Sequence, residues 1–148
     1  MKFTKTFKKI FYFVFTLLFL SGAAWLFLEK FVRVPGAFGE DHHPAQEVLI
    51  RIHGAIAYAA LIVIGYLTHS HVRPGLKSKK QRGIKTGWML IVATSLLIVS
   101  SAMDLFGPET FVREWLATSH RYVGLFFPLL VVGHVLKDRF AQNSSPRR

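Results

Sequence analysis

Seven histidines and no cysteine decide which chemistry is open to this 148-residue chain. Without a thiol there is no disulfide, no thiolate zinc or iron–sulfur site, and no CxxCH pair to attach a haem covalently. The sequence also has no phosphate-binding loop, no HExxH helix and no nucleophile set beside a base. Ligand or redox chemistry therefore has to rest on imidazole nitrogen and a bound cofactor. Five of the histidines fall within long apolar runs or at their ends: His53, His69 and His71 in the second run, His120 and His134 in the last. An ionisable side chain inside a membrane span is costly, and where one persists it usually serves a function.

The elements that must position these histidines are set by hydrophobic length. The chain is 51% hydrophobic with a mean hydropathy of +0.35, and a bilayer span needs about 20 apolar residues at ~1.5 Å each. Four runs of near that length occupy roughly residues 10–28, 48–71, 84–103 and 114–136. They leave little chain for a soluble catalytic domain. The fold class expected is all-α: an integral-membrane four-helix bundle over residues 1–140, then a polar tail, 141–148, expected to be disordered. The first run follows a basic segment, and Ser21-Gly22-Ala23-Ala24 resembles a signal-peptide cleavage site. A run of 19 apolar residues is long for a signal peptide and Trp25 lies beyond that site, so a retained helix is expected. Pro35-Gly36, Gly39 and Glu40-Asp41 mark the first loop, Pro74-Gly75 and the lysines after it the second, and Gly107-Pro108 the third.

The net charge of +11 could suggest nucleic acid, but its distribution is topological. Fourteen of the nineteen cations lie in the N-terminal segment, the second loop and the tail, and seven of the eight acids lie in or beside the first and third loops. By the positive-inside rule both termini are cytoplasmic. The second and fourth helices then run in the same direction, from outside to inside. His53 and His120 share an outer depth, and His71 or His69 shares an inner depth with His134.

Helical phase sharpens the inner choice. The 14 residues from His120 to His134 return to within ~40° of one face at ~100° per residue. From His53, 18 residues to His71 return to the same face, while 16 residues to His69 land ~160° away. His71 is the better inner ligand and His69 the alternative. The axial separations, ~27 Å on the second helix and ~21 Å on the fourth, differ enough to call for tilt, a bend at Gly65 or Pro128, or fraying before Pro74.

Two imidazoles at each of two depths are what two six-coordinate haems require, since each iron takes two axial nitrogens. Gly54, Ala57, Gly124 and Gly133 keep the backbone near these histidines free of bulk, and Gly22, Ala23, Ala24, Gly87, Ala93 and Ser95 interrupt the other two helices. Any one such glycine is equally well a helix-packing position. Four histidines at matched depths on two parallel helices are harder to attribute to packing.

The segment HGAIAYAALIVIGYLTHSHV from His53, the later GLKSKKQRGIKTG, and the closing HRYVGLFFPLLVVGHVL resemble short bacterial four-helix b-type membrane cytochromes. The resemblance covers nearly the whole chain. It implies two non-covalent haem b groups ligated by His53, His71, His120 and His134, a multi-pass place in the bacterial inner (cytoplasmic) membrane, and transmembrane electron transfer. It names neither donor nor acceptor. His69 departs from the family's pattern.

Haem propionates seek cations or backbone donors near the membrane surface. Arg51 and Arg121 are the outer candidates; Arg73, Lys85 and Lys137 are the inner ones. Each is equally an ordinary interfacial cation. His42 and His43, beside Glu40 and Asp41, form a loop cluster suited to a quinol site, a proton shuttle or a soluble partner, against the default of a solvated loop. The function expected is an electron carrier or a cytochrome subunit of an oxidoreductase rather than a self-contained enzyme. Its partners would be the lipid bilayer, a quinone or quinol, and a redox subunit, with no nucleic acid. The alternative is a transporter using intramembrane histidines for metal ions or protons, although no Asp or Glu lies inside the spans.

Overall fold

The computed structural model describes residues 3–36, 39–77 and 84–143, with side chains through Lys137. The elements in chain order are α1 (Lys5–Phe31), β1 (Arg33–Gly36), β2 (Gly39–His42), α2 (Ala45–Leu67), a π-turn (Thr68–Val72), α3 (Arg73–Lys77), α4 (Ile84–Phe106) and α5 (Phe111–Asn143). The fold class is all-α. Four helical stretches are long and apolar enough to cross a membrane: Lys5–Phe31, Ala45–Lys77, Ile84–Phe106 and Phe111–Lys137. The protein itself buries no more than 11% of any of these spans. An apolar surface left that open fits a surrounding of acyl chains.

The helices outrun the apolar segments because their flanks also favour helix. Thr4 caps α1, its Oγ1 accepting from the Phe7 backbone N–H at 3.2 Å, and Lys5, Lys8 and Lys9 are good helix formers that add a turn before the apolar run. α5 continues through Asn143, three residues into the expected tail; residues 144–148 lie outside the described residues. α5 also runs through Pro128 without interruption, although proline has no N–H for the Gly124 carbonyl.

Two features depart from a plain four-helix reading. The first loop is a two-stranded antiparallel hairpin pairing Arg33 with His42, Val34 with Asp41, Pro35 with Glu40 and Gly36 with Gly39. Gly39 has φ +130°, a backbone angle closed to other residues, and a Cβ on Gly36 would stand 2.8 Å from the Asp41 Cβ. The second feature is the π-turn that holds both His69 and His71. Thr68 and Ser70 hydroxyls donate back to the Ile64 and Tyr66 carbonyls, and Pro74 cannot donate to the carbonyl four residues before it. Such back-bonding and a nearby proline are the usual causes of a disturbed ladder.

The chain divides into two compact units, Met1–His71 and Val72–Arg148. Within the first, α1 packs along α2; within the second, α4 packs along α5. Each unit is a helical hairpin. The few buried residues are mostly small, among them Ser21, Ala60, Val63 and Ser70 in the first and Ala93 and Ser100 in the second. Small side chains let helix backbones approach closely where lipid offers no hydrophobic drive.

Candidate functional site

In the first hairpin His53 turns its ring onto α1. Its Nδ1 lies 3.0 Å from the Ser21 Oγ, and the Ser21 hydroxyl donates to the Leu18 carbonyl at 3.0 Å. With the serine proton on Leu18, the serine oxygen can only accept, and His53 would then carry its proton on Nδ1. Gly22, the next residue along α1, makes room for the ring, since a Cβ there would come within 2.9 Å of His53 Cε1.

The second hairpin repeats the arrangement. Ser100, which is fully buried, donates to the Leu97 carbonyl at 3.1 Å, and its Oγ lies 3.0 Å from His120 Nδ1. The Leu97 carbonyl also lies 3.2 Å from that nitrogen. A carbonyl can only accept, which places the His120 proton on Nδ1 a second time over. Further along α5, His134 Nδ1 lies 2.9 Å from the Thr86 Oγ1. The His134 ring lines a cavity of about 150 Å³ with Thr86, Met89, Leu129, Leu130 and Gly133. Three of the four expected ligands thus meet a hydroxyl on the neighbouring helix through the same nitrogen. A ligating imidazole characteristically anchors its second nitrogen in this way.

None of the three hydroxyls stood out in the sequence, where Ser21 belonged to a possible cleavage site and Ser100 and Thr86 drew no notice. The available signal was their position one helix before each histidine, at matching depth.

His71 and His69 are both exposed. His71 lies against Phe3, with ring centroids 5.6 Å apart. Because both occupy the π-turn, the straight-helix phase applies only as far as Leu67. Going from i→i+4 to i→i+5 bonding adds at most one residue per turn and so removes at most about a fifth of each ~100° step. His69 would come nearer the His53 face only if each step lost more than about a quarter. His71 therefore keeps its advantage in phase, reduced but not reversed.

Comparison with protein-family models, with curated proteins and with solved structures finds no match. The site therefore has to be read from its own geometry.

The space around these histidines is uneven. A Cβ built on Gly54 or Gly133 meets nothing within 4 Å, so the backbone beside His53 and His134 is open on those sides. Gly124 is different, since a Cβ there would touch Leu97 at 3.8 Å; it is a packing position. Of the cations, Arg51 is exposed and bound to Glu47 one turn before it. Arg121 lines an outer cavity of about 530 Å³ with Asp104, Glu109, Thr110, Arg113, Glu114, Ala117 and Thr118, in which Arg113 reaches Asp104 and Glu109 at 3.6 and 3.5 Å. Arg73, Lys85 and Lys137 are exposed.

His42 and His43 both work within the hairpin region. His43 Nδ1 accepts from the backbone N–H of Ala45, the first residue of α2, at 3.1 Å. His42 Nδ1 lies 2.9 Å from Arg33 Nη1 and 3.1 Å from Glu29 Oε2. One nitrogen cannot serve both: without a proton it accepts from Arg33, and with one it donates to Glu29. Among the described residues no three His, Cys, Asp or Glu side chains converge as a bare metal ion would need. Gln46 Nε2, at the start of α2, is buried without a partner.

Proposed function

We propose that the chain is a transmembrane electron carrier of the b-type cytochrome kind, holding two non-covalent haems, with His53 and His120 as the outer axial pair and His71 and His134 as the inner pair. The observation that carries this reading is the shared use of Nδ1: His53, His120 and His134 each commit that nitrogen to a hydroxyl on the adjacent helix. Nε2 is then the nitrogen that a haem iron would take. A general packing histidine has no reason to present the same atom three times. The open backbone at Gly54 and Gly133 gives a planar group room beside two of the rings. An axial pair requires only two nitrogens, which suits isolated histidines better than the converging trio a bare cation demands.

A bound haem iron supplies a one-electron couple between Fe(III) and Fe(II). The chain's own residues supply what determines where and how readily the electron resides: axial nitrogens held in one tautomer, and apolar helix faces that exclude water from the path. Two haems at two depths would carry the electron across the bilayer of a bacterial cytoplasmic membrane. The electron would pass between a quinone pool or other donor and an extracytoplasmic redox partner.

The test is a visible spectrum of the purified protein, oxidised and reduced, with haem quantified per chain. The proposal expects two haems, all removed by acidified acetone because no CxxCH exists. A chain that acquires no haem, whether produced with ample haem supply or mixed with it afterwards, would leave the transporter reading in its place.

A further inference from the structure

The two hairpins carry the same device at the same place. Thr16-Leu17-Leu18-Phe19-Leu20-Ser21 in α1 is matched by Ser95-Leu96-Leu97-Ile98-Val99-Ser100 in α4. In both, the serine hydroxyl donates to the leucine carbonyl three residues earlier, Leu18 or Leu97. In both, its oxygen receives the Nδ1 of a histidine on the next helix, at 3.0 Å. Ser21 is 8% exposed and Ser100 0%, so water does not compete for either bond. Back-donation to a carbonyl is what a serine in an apolar helix does by default. What is added here is that the committed proton turns the oxygen into a fixed acceptor, aimed at one ring nitrogen.

We infer that Ser21 and Ser100 are positioning residues, two copies of one ligand-presenting device, which fix the Nδ1–H tautomer of His53 and His120 and thereby set the reduction potential of the outer haem. The inference rests on the haem reading given above. A hydrogen bond from Nδ1–H to an oxygen makes the imidazole a stronger donor at Nε2. A stronger donor favours Fe(III) over Fe(II) and lowers the potential; losing the bond raises it. His120 also meets the Leu97 carbonyl through the same nitrogen, at 3.2 Å, and that acceptor remains when Ser100 is removed.

The experiment compares the full chain with its Ser21→Ala, Ser21→Thr and Ser100→Ala variants by haem affinity, potentiometric titration and ¹⁵N NMR of histidine-labelled protein in the reduced, diamagnetic state. The wild type is expected to show Nδ1 protonated at both residues. Ser21→Ala should weaken binding of the outer haem ~10–100-fold and raise its potential, by ~59 mV for each tenfold of affinity lost from Fe(III) alone. Ser100→Ala should change both in the same sense, against the Leu97 carbonyl that still meets His120 Nδ1. Ser21→Thr should restore both, because it returns the hydroxyl. An unchanged potential in Ser21→Ala with haem retained, or proton-bearing Nε2 in the wild type, would each overturn the inference. A wild-type chain that binds no haem would overturn the function instead, and the tautomer spectrum of that chain would still support or overturn the part assigned to the serines.

Discussion

His53 Cε1 stands 2.9 Å from the point a Cβ on Gly22 would occupy, and His53 Nδ1 stands 3.2 Å from it. The His53 ring is thus seated on the backbone of α1, where only a hydrogen fits. The neighbouring residue, Ser21, supplies the hydrogen bond. Two consecutive residues therefore place one imidazole, the first by chemistry and the second by leaving space.

Gly22→Ala should displace that ring. The added methyl meets His53 side-chain atoms at a separation real Cβ atoms do not tolerate, so either the imidazole leaves Ser21 or α1 and α2 move apart. The expected outcome is loss of one of two haems per chain while the other keeps its spectrum. An unchanged haem count and potential would show that the ring yields without cost.

Thr86→Val removes a hydroxyl and keeps the shape, which isolates the hydrogen bond to His134 from packing. Affinity for the inner haem should fall ~10–100-fold, the range for losing a ligand's supporting bond, with the outer haem untouched. Titration of haem into the chain reads the two sites separately. An equal loss at both would assign Thr86 to general stability.

His71→Ala should leave a single haem, held by His53 and His120, and His69→Ala should retain both. The π-turn lessens the phase advantage of His71 but does not transfer it to His69. Haem stoichiometry of the two variants decides the matter, and the reverse pattern would assign the inner site to His69.

Fourteen of the nineteen cations lie toward one side of the spans, so both termini should be cytoplasmic. A reporter joined after Arg148 is expected to be active only when it requires the cytoplasm. Activity from a periplasm-dependent reporter at that position would invert the topology.

The four spans were legible because membrane helices are specified by apolar length, a property that needs no knowledge of neighbours. The histidines were legible for a related reason: a polar group in such a run is conspicuous. The β1–β2 hairpin was not, since Arg33–Gly36 and Gly39–His42 are too short and too polar to show alternation. The π-turn was not, because it follows from competition among Thr68, Ser70 and Pro74 for backbone carbonyls rather than from any periodicity. Ser21, Ser100 and Thr86 were missed because a lone hydroxyl in an apolar helix satisfies itself on the preceding turn and reads as filler. Its second role appears only once the partner helix is in place. Arg51 illustrates the converse: proximity to His53 in sequence made it a candidate, yet it is exposed and engaged with Glu47.

Because every hydroxyl–imidazole bond described here lies within a single hairpin, the order of synthesis acquires a meaning. Chains emerge N-terminus first, and α2 follows α1 by only a short hairpin. His53 can settle on Ser21 as soon as its own helix enters the bilayer, before α4 has been made. The imidazoles of α5 likewise find Ser100 and Thr86 on the helix translated immediately before them. His53, His120 and His134 need not wait in hydrocarbon for a distant segment, a wait that would be expensive. Each half of the protein can enter the membrane with these imidazoles already paired.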